Sequence, residues 1–153
     1  MTNAYDNDSV TIQKVFYSPV QSVWDAWTVP AVIMRWFGSD PKGKVLKANL
    51  DLRTGGSFEI SFQDGDRTEH TCLGVYSEIE KFSRLGFSWE WKSEPGVVSF
   101  VLITLTAVDN LTRMEFIHSR VGSKSSHDYL VGWQSCFLKL ENLLASGIHP
   151  KPG

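Results

Sequence analysis

The sequence predicts an α+β fold in which an antiparallel meander of strands carries helices on one of its faces. Three features predict it. Residues Ser126 to Ser146 form one long segment with apolar residues at helical spacing. The stretch from Lys44 to Arg120 alternates with a period of two and is interrupted only by short turns. A first strand and two short helical segments precede that stretch. Strands joined by short turns must pair antiparallel, because parallel neighbours need long crossovers, and the apolar face of such a sheet needs cover.

Val10 to Tyr17 (VTIQKVFY) is rich in β-branched and aromatic residues and reads as the first strand. Ser18 and Pro19 end it and open a helix, with Ser18 expected as the N-cap and Pro19 at the first helical position. Val20, Val23, Trp24 and Trp27 then fall on one helical stripe. Pro30 breaks the helix, and Ala31 to Phe37 is expected as a second short helix ending at Gly38.

In the alternating stretch, Phe58, Ile60 and Phe62 share one face of a strand from Ser57 to Phe62, and Asp64-Gly65 predicts a hairpin turn. Thr68 to Glu80 reads as a long strand in which Gly74 admits a bulge or a close approach. Leu85, Phe87, Trp89 and Trp91 alternate next, Glu94-Pro95-Gly96 turns the chain, and Val97 to Val108 follows. Asp109-Asn110 turns it again into Thr112 to Arg120, where Met114, Phe116 and His118 share a face. On the final helix Leu130, Trp133, Phe137, Leu140 and Leu144 form the apolar face, opposite Ser135, Lys139 and Asn142. Ser125, Ser126 and Asp128 mark its start; Gly147 and Pro150 mark its end.

The 153 residues suit one domain, with a core over about 10–146. Six Trp and nine Phe imply an aromatic interior. A net charge of -2 argues against nucleic acid or an anionic membrane as partner, and Lys42, Lys44 and Lys47 read as a solvated loop. Cys72 and Cys136 read as a reduced pair. The start of the chain lacks a basic region followed by an apolar run, and no segment reaches transmembrane length, so a cytoplasmic location is expected.

Motifs for chemistry are few. There is no CxxC, HxxxH or HExxH, and neither the His70–Cys72 phase pair nor Glu59 has metal spacing, so no metal is expected. The absence of GxSxG, GxxxxGK[ST] and GxGxxG removes support for serine hydrolase, nucleotide hydrolase and dinucleotide enzyme readings, and no cofactor is expected. His118 is the polar candidate: its strand phase points it inward, where it could bond a ligand, act as acid or base, or be satisfied by a backbone group. Gln134 and Glu141, at the margin of the helix's apolar arc, are expected to stay in water. If Val101, Ile103 and Leu105 face inward, Val98, Phe100 and Leu102 face outward, and a homodimer is one way to cover them.

Pro19, Val23-Trp24, Ala26-Trp27, Trp36-Phe37, Asp51-Leu52-Arg53, Gly55-Gly56-Ser57-Phe58, Leu111-Thr112-Arg113 and Gly132-Trp133 together resemble the activator-of-heat-shock-protein-ATPase-like family of the START-like (SRPBCC) superfamily. The resemblance runs from about Val10 to Ala145. It implies a helix-grip fold, a seven-stranded antiparallel sheet wrapped around the long C-terminal helix with two short helices between strands 1 and 2. It also implies an apolar cavity between sheet and helix. On that placement Phe58, Ile60, Phe62, Phe87, Trp89 and Trp91 would line the concave face with Val101, Ile103, Met114 and Phe116. Trp36, His118, Trp133 and Phe137 complete the expected lining. The co-chaperones that give the family its name carry an additional N-terminal domain, which this sequence does not match. The superfamily holds lipid, hormone and polyketide binders, cyclases and dehydratases, and co-chaperones, so the fold alone assigns no activity. The expected function is binding of a small hydrophobic or aromatic molecule in the cavity. A chaperone-binding or other interaction module is the alternative, and a cyclase or dehydratase using His118 the third reading.

Overall fold

A computed structural model describes residues 8–122 and 124–147. The polar leader and Pro150 lie outside them. The elements run β1 (Ser9–Phe16), α1 (Val20–Thr28), α2 (Pro30–Ile33), β2 (Lys44–Leu50), β3 (Ser57–Gln63), β4 (Glu69–Glu80), β5 (Arg84–Trp91), β6 (Val98–Val108), β7 (Leu111–Ser119) and α3 (Ser126–Ser146). All seven strands form one antiparallel sheet in the order β1-β7-β6-β5-β4-β3-β2. The order follows from the connections. Strands β2 to β7 pair with their neighbours in sequence, and β1 joins the free edge of β7 because α1 and α2 carry the chain across to the far edge. The two edges are therefore β1 and β2.

The period-two residues settle on the concave face as their phase requires. Phe58, Ile60 and Phe62 of β3, Leu85, Phe87 and Trp89 of β5, and Val101, Ile103 and Leu105 of β6 are buried. Met114, Phe116 and His118 of β7 are fully buried. α3 closes this face with Trp133, Cys136, Phe137, Leu140, Leu143 and Leu144. Its apolar stripe is thus wider than the five residues expected: Cys136 and Leu143 join it, and Leu130 is only half-buried. Gly147, with φ 88°, ends α3 in a conformation that a residue with a Cβ rarely adopts.

Two helix boundaries differ from expectation. Pro19 is the N-cap of α1, not its first residue; its ψ of 154° is extended, and the Ser18 side chain makes no cap bond. Ser18 serves the core instead, its carbonyl accepting from the Thr112 hydroxyl at 2.7 Å. The second helix covers Pro30–Ile33 rather than Ala31 to Phe37, with Pro30 in its first turn. Beyond it, Arg35, Trp36 and Phe37 continue in hydrogen-bonded turns, and Trp36 Nε1 donates to the Ala26 carbonyl at 2.9 Å, which ties this segment to α1.

The hairpin at Asp64-Gly65 forms, but its left-handed residue is Arg67 (φ 74°). Gly74 marks a close approach: a Cβ there would sit 1.9 Å from the Ser88 carbonyl oxygen. The ladder's irregularity lies further on, between Tyr76 and Glu78. On the convex face Phe100 is 41% exposed, between Ser88 and Ser119 in register, with the Arg120 guanidinium 5.5 Å from its ring. Serines thus flank the outward row of β6 at Phe100, whereas Leu102 lies between Gly86 and Ile117. No helix among the described residues is long and apolar enough to cross a membrane.

Candidate functional site

The cavity between sheet and helix holds about 290 Å³ and lies beside the N-terminal half of α3. Its floor comes from alternation on the sheet. Trp89 and Trp91 are two apart on β5 and share the inner face, Phe62 reaches the same level from β3, and Phe37 enters from the turn after α2. α3 supplies Tyr129, Trp133 and Cys136, spaced four and three apart and so presented on one side of the helix. The rings meet mostly edge to face: Trp89 and Trp91 at 5.2 Å and 85°, Phe37 and Trp133 at 5.9 Å and 84°, Trp89 and Trp133 at 5.3 Å and 63°.

Gly132 sits where Ser39 approaches, a Cβ there lying 3.6 Å from the Ser39 Cβ. This lip is pinned to the helix. Ser135 Oγ donates to the Ser39 carbonyl and Lys139 Nζ to the Asp40 carbonyl at 3.0 Å. Asp40 in turn accepts from the amides of Gly65 at 2.8 Å and Lys42 at 2.9 Å, and these bonds hold its carboxyl below the usual range. The exposed carboxylates of Glu94 and Asp128 stand at the mouth, and none of the lining residues is basic.

The polar side chains of the lining are Ser39, Glu94, Ser125, Asp128 and Tyr129, beside the indoles. Trp91 Nε1 donates to the Tyr129 hydroxyl at 2.7 Å. Burial raises the Tyr129 phenol above its ordinary value and Glu94 adds to this, while the indole N–H groups of Trp91 and Trp89 act against it. Trp89, 3% exposed, makes no hydrogen bond through Nε1 among the described residues. Burial also pushes the Cys136 thiol up to about 12, which leaves it a poor nucleophile.

Behind the wall runs a hydrogen-bonded chain. Trp133 Nε1 donates to His118 Nδ1 at 3.0 Å, so that nitrogen carries no proton; Nε2 then bears it and donates to Ser99 Oγ at 2.7 Å, and Ser99 Oγ donates to the Trp89 carbonyl at 3.4 Å. Burial lowers the His118 pKa to about 3. Both ring nitrogens are spent on protein partners. His118 points inward as its strand phase requires, and of its readings the satisfied core histidine fits these bonds, which leave neither nitrogen for a ligand or for acid–base work. Its partners are side chains, not the backbone group that was the other reading.

The expected lining divides. Phe62, Trp89, Trp91 and Trp133 border the cavity. Phe58, Ile60 and Phe87 surround a separate void of only about 20 Å³, room for no more than a water. Trp36, Met114, Phe116 and Phe137 are packed into the core with His118. The cavity therefore occupies one end of the concave face, because Trp27 and Trp36 of the helical segments fill the rest: Trp27 stacks on Phe116 at 6.2 Å and Trp36 lies 6.4 Å from Phe137. Phe37, Tyr129 and Cys136 were missed. Tyr129 and Cys136 are four before and three after Trp133, so the helical spacing of the final segment already places them beside it; the arrival of Phe37 depends on the loop after α2. Gln134 is exposed, and Glu141 is paired with Lys14 at 3.0 Å rather than left to water alone. Glu59 pairs with Lys47 and His70 with Asp64, both at 2.8 Å, and no three His, Cys, Asp or Glu among the described residues lie together as a metal site.

A family model for Activator of Hsp90 ATPase homolog 1-like protein matches residues 17–145. Among solved structures, protein NE0264 from Nitrosomonas europaea is similar at a TM-score of 0.79 and 22% identity, over 95% of this chain and 97% of that one. The AHSA1-like protein from Aeromonas hydrophila is similar at 0.78 and 19%, over 95% and 98%. DynU16, a protein of the dynemicin biosynthetic locus, is similar at 0.74 and 26%, over 92% of this chain and 48% of its own length. A comparison with curated proteins returned no match.

Proposed function

We propose that this chain, which belongs to the Activator of Hsp90 ATPase homolog 1-like protein family, binds a small, flat, largely apolar molecule in the cavity beside the N-terminal half of α3. The observation that carries the reading is the cavity itself, about 290 Å³ walled by Phe37, Phe62, Trp89, Trp91 and Trp133. A void of this size and lining accepts a ring system by burial and edge contacts. The similarity to DynU16, a protein of the dynemicin biosynthetic locus, supports a small biosynthetic molecule as the class of ligand. The free, buried Cys72 and Cys136 are in keeping with a reducing compartment such as the cytoplasm. An enzyme using His118 has lost its support, since neither imidazole nitrogen is available to a substrate.

The test is titration with Nile red, a neutral flat dye, followed by tryptophan quenching, alongside Gly132→Leu, which places a side chain at the cavity's lip. Saturable binding by the wild type, lost in a folded Gly132→Leu, is the expected result. No saturable binding, or equal binding by the variant, overturns the reading.

A further inference from the structure

We infer that the ligand carries a protonated amine on its flat apolar ring system, with the ring inside the cavity and the ammonium group at the mouth beside Glu94 and Asp128. The inference rests on the cavity being a binding site and adds the charge that the site selects. It starts from a gradient of polarity along the wall. The rings of Phe37, Trp89 and Trp133 are buried, Trp91 and Tyr129 are half-buried, and Glu94 and Asp128 are exposed. The indole donors are spent within the protein or covered by it: Trp91 Nε1 donates to the Tyr129 hydroxyl at 2.7 Å, Trp133 Nε1 donates to His118 at 3.0 Å, and Trp89 Nε1 is buried. An anion entering the cavity therefore finds side-chain donors only in the hydroxyls of Ser39, Ser125 and Tyr129, and it loses its hydration with little return.

Both carboxylates are available to a cation. Among the described residues neither of them forms an ion pair. Asp128 lies in the first turn of α3, where the helix favours its negative charge, and Glu94 is near enough to Tyr129 to raise its phenol. The neighbouring cations are engaged or stand aside. Lys139 donates to the Asp40 carbonyl, Lys92 helps to hold the Glu59 carboxyl low, and the exposed Lys124 and His127 are outside the lining. An ammonium group at the opening meets two carboxylates and, just inside them, the rings of Trp91 and Tyr129, whose π-systems also attract a cation. The hydrocarbon part of the ligand lies deeper, against Phe37, Phe62 and Trp133.

2-Naphthylmethylamine, 2-naphthylmethanol and 2-naphthoate share one flat ring system and differ in charge at neutral pH. Affinities by calorimetry at about 0.01 M salt are expected in the order amine, alcohol, carboxylate, with the amine about tenfold tighter than the alcohol. At about 1 M salt the advantage of the amine should shrink to about twofold or less, while the alcohol does not weaken. Glu94→Gln combined with Asp128→Asn, checked for native circular dichroism, should bring the amine to the affinity of the alcohol and leave the alcohol unchanged. Glu80→Gln, at the other end of β4 from Glu69 and outside the lining, should alter none of the three affinities, which separates the two carboxylates from the overall negative charge. The salt series on the wild-type protein needs no variant and decides the matter if the double variant fails to fold. Equal binding of amine and alcohol at low salt, or a preference for the carboxylate, overturns the inference and leaves the cavity reading standing. An amine preference that survives in the folded double variant overturns it too. Failure of all three to bind overturns the inference as well, and the Nile red titration then decides the cavity reading by itself.

Discussion

Trp133 and His118 face each other across the join of helix and sheet, with the indole Nε1 donating to the imidazole Nδ1 at 3.0 Å. One residue is both cavity wall and core, and the bond fixes the histidine as its neutral Nε2–H tautomer. This couples the folded state to pH. The unfolded chain takes up a proton on His118 near its ordinary value of about 6.5, whereas the folded chain resists until about 3. Over that window the unfolded state binds more protons, so stability falls as pH falls; above it this group has no effect.

The first prediction follows from that sign. Between about pH 6.5 and 5 the wild-type protein should lose about 2 kcal/mol of unfolding free energy through His118 alone. Denaturant titration at both ends of the window, compared with His118→Gln, isolates the term. The carboxyls of Glu59, Glu78, Asp40 and Asp66, held low by their hydrogen bonds, add their losses at lower pH. Equal slopes for wild type and variant above pH 5 would contradict a neutral, buried His118.

Trp133 separates volume from hydrogen bonding. Trp133→Ala removes a large buried ring and should cost about 3–5 kcal/mol. Trp133→Phe keeps most of the packing against Phe116 at 4.7 Å and Phe137 at 5.7 Å, but leaves His118 Nδ1 without its donor. A loss of about 1–3 kcal/mol is expected from that alone. A Trp133→Phe protein with the wild-type denaturation midpoint would show that the bond contributes nothing.

The thiols offer a simpler check. Cys136 borders the cavity, but burial raises its pKa to about 12, and Cys72 is pushed up as well by burial against β3. At about pH 8, near the value of a free cysteine, neither should react readily with Ellman's reagent while the protein is folded, and both should react at once in denaturant. Rapid reaction of one thiol in the folded protein would mean that this part of the wall opens.

What could be read without the structure was whatever depends on phase along one element. Met114, Phe116 and His118 were placed on one face because a strand permits no other arrangement, and the bounds of α3 follow from its flanking serines and glycine. The site was harder, because a cavity is a property of what fails to meet. Phe58 and Phe116 have the same inward phase as Trp89, yet of the three only Trp89 borders the cavity beside α3, since Trp27 and Trp36 arrive from another part of the chain to fill the remainder. His118 showed its direction in the sequence but not its partners, which come from β6 and α3.

Gly74 tests whether the strand pairing behind the site tolerates any side chain. Its Cβ would lie 1.9 Å from the Ser88 carbonyl oxygen and 2.7 Å from Phe58 Cε2. The phenyl ring can turn aside; the carbonyl cannot move without parting β4 from β5, on which Trp89 and Trp91 are carried. Gly74→Ala should therefore cost about 1–3 kcal/mol or more, measured by thermal or denaturant unfolding. Adding Phe58→Leu should give no rescue, because it relieves only the softer contact. Recovery of wild-type stability in the double variant would show that the ring, and not the backbone of β5, sets the requirement for glycine.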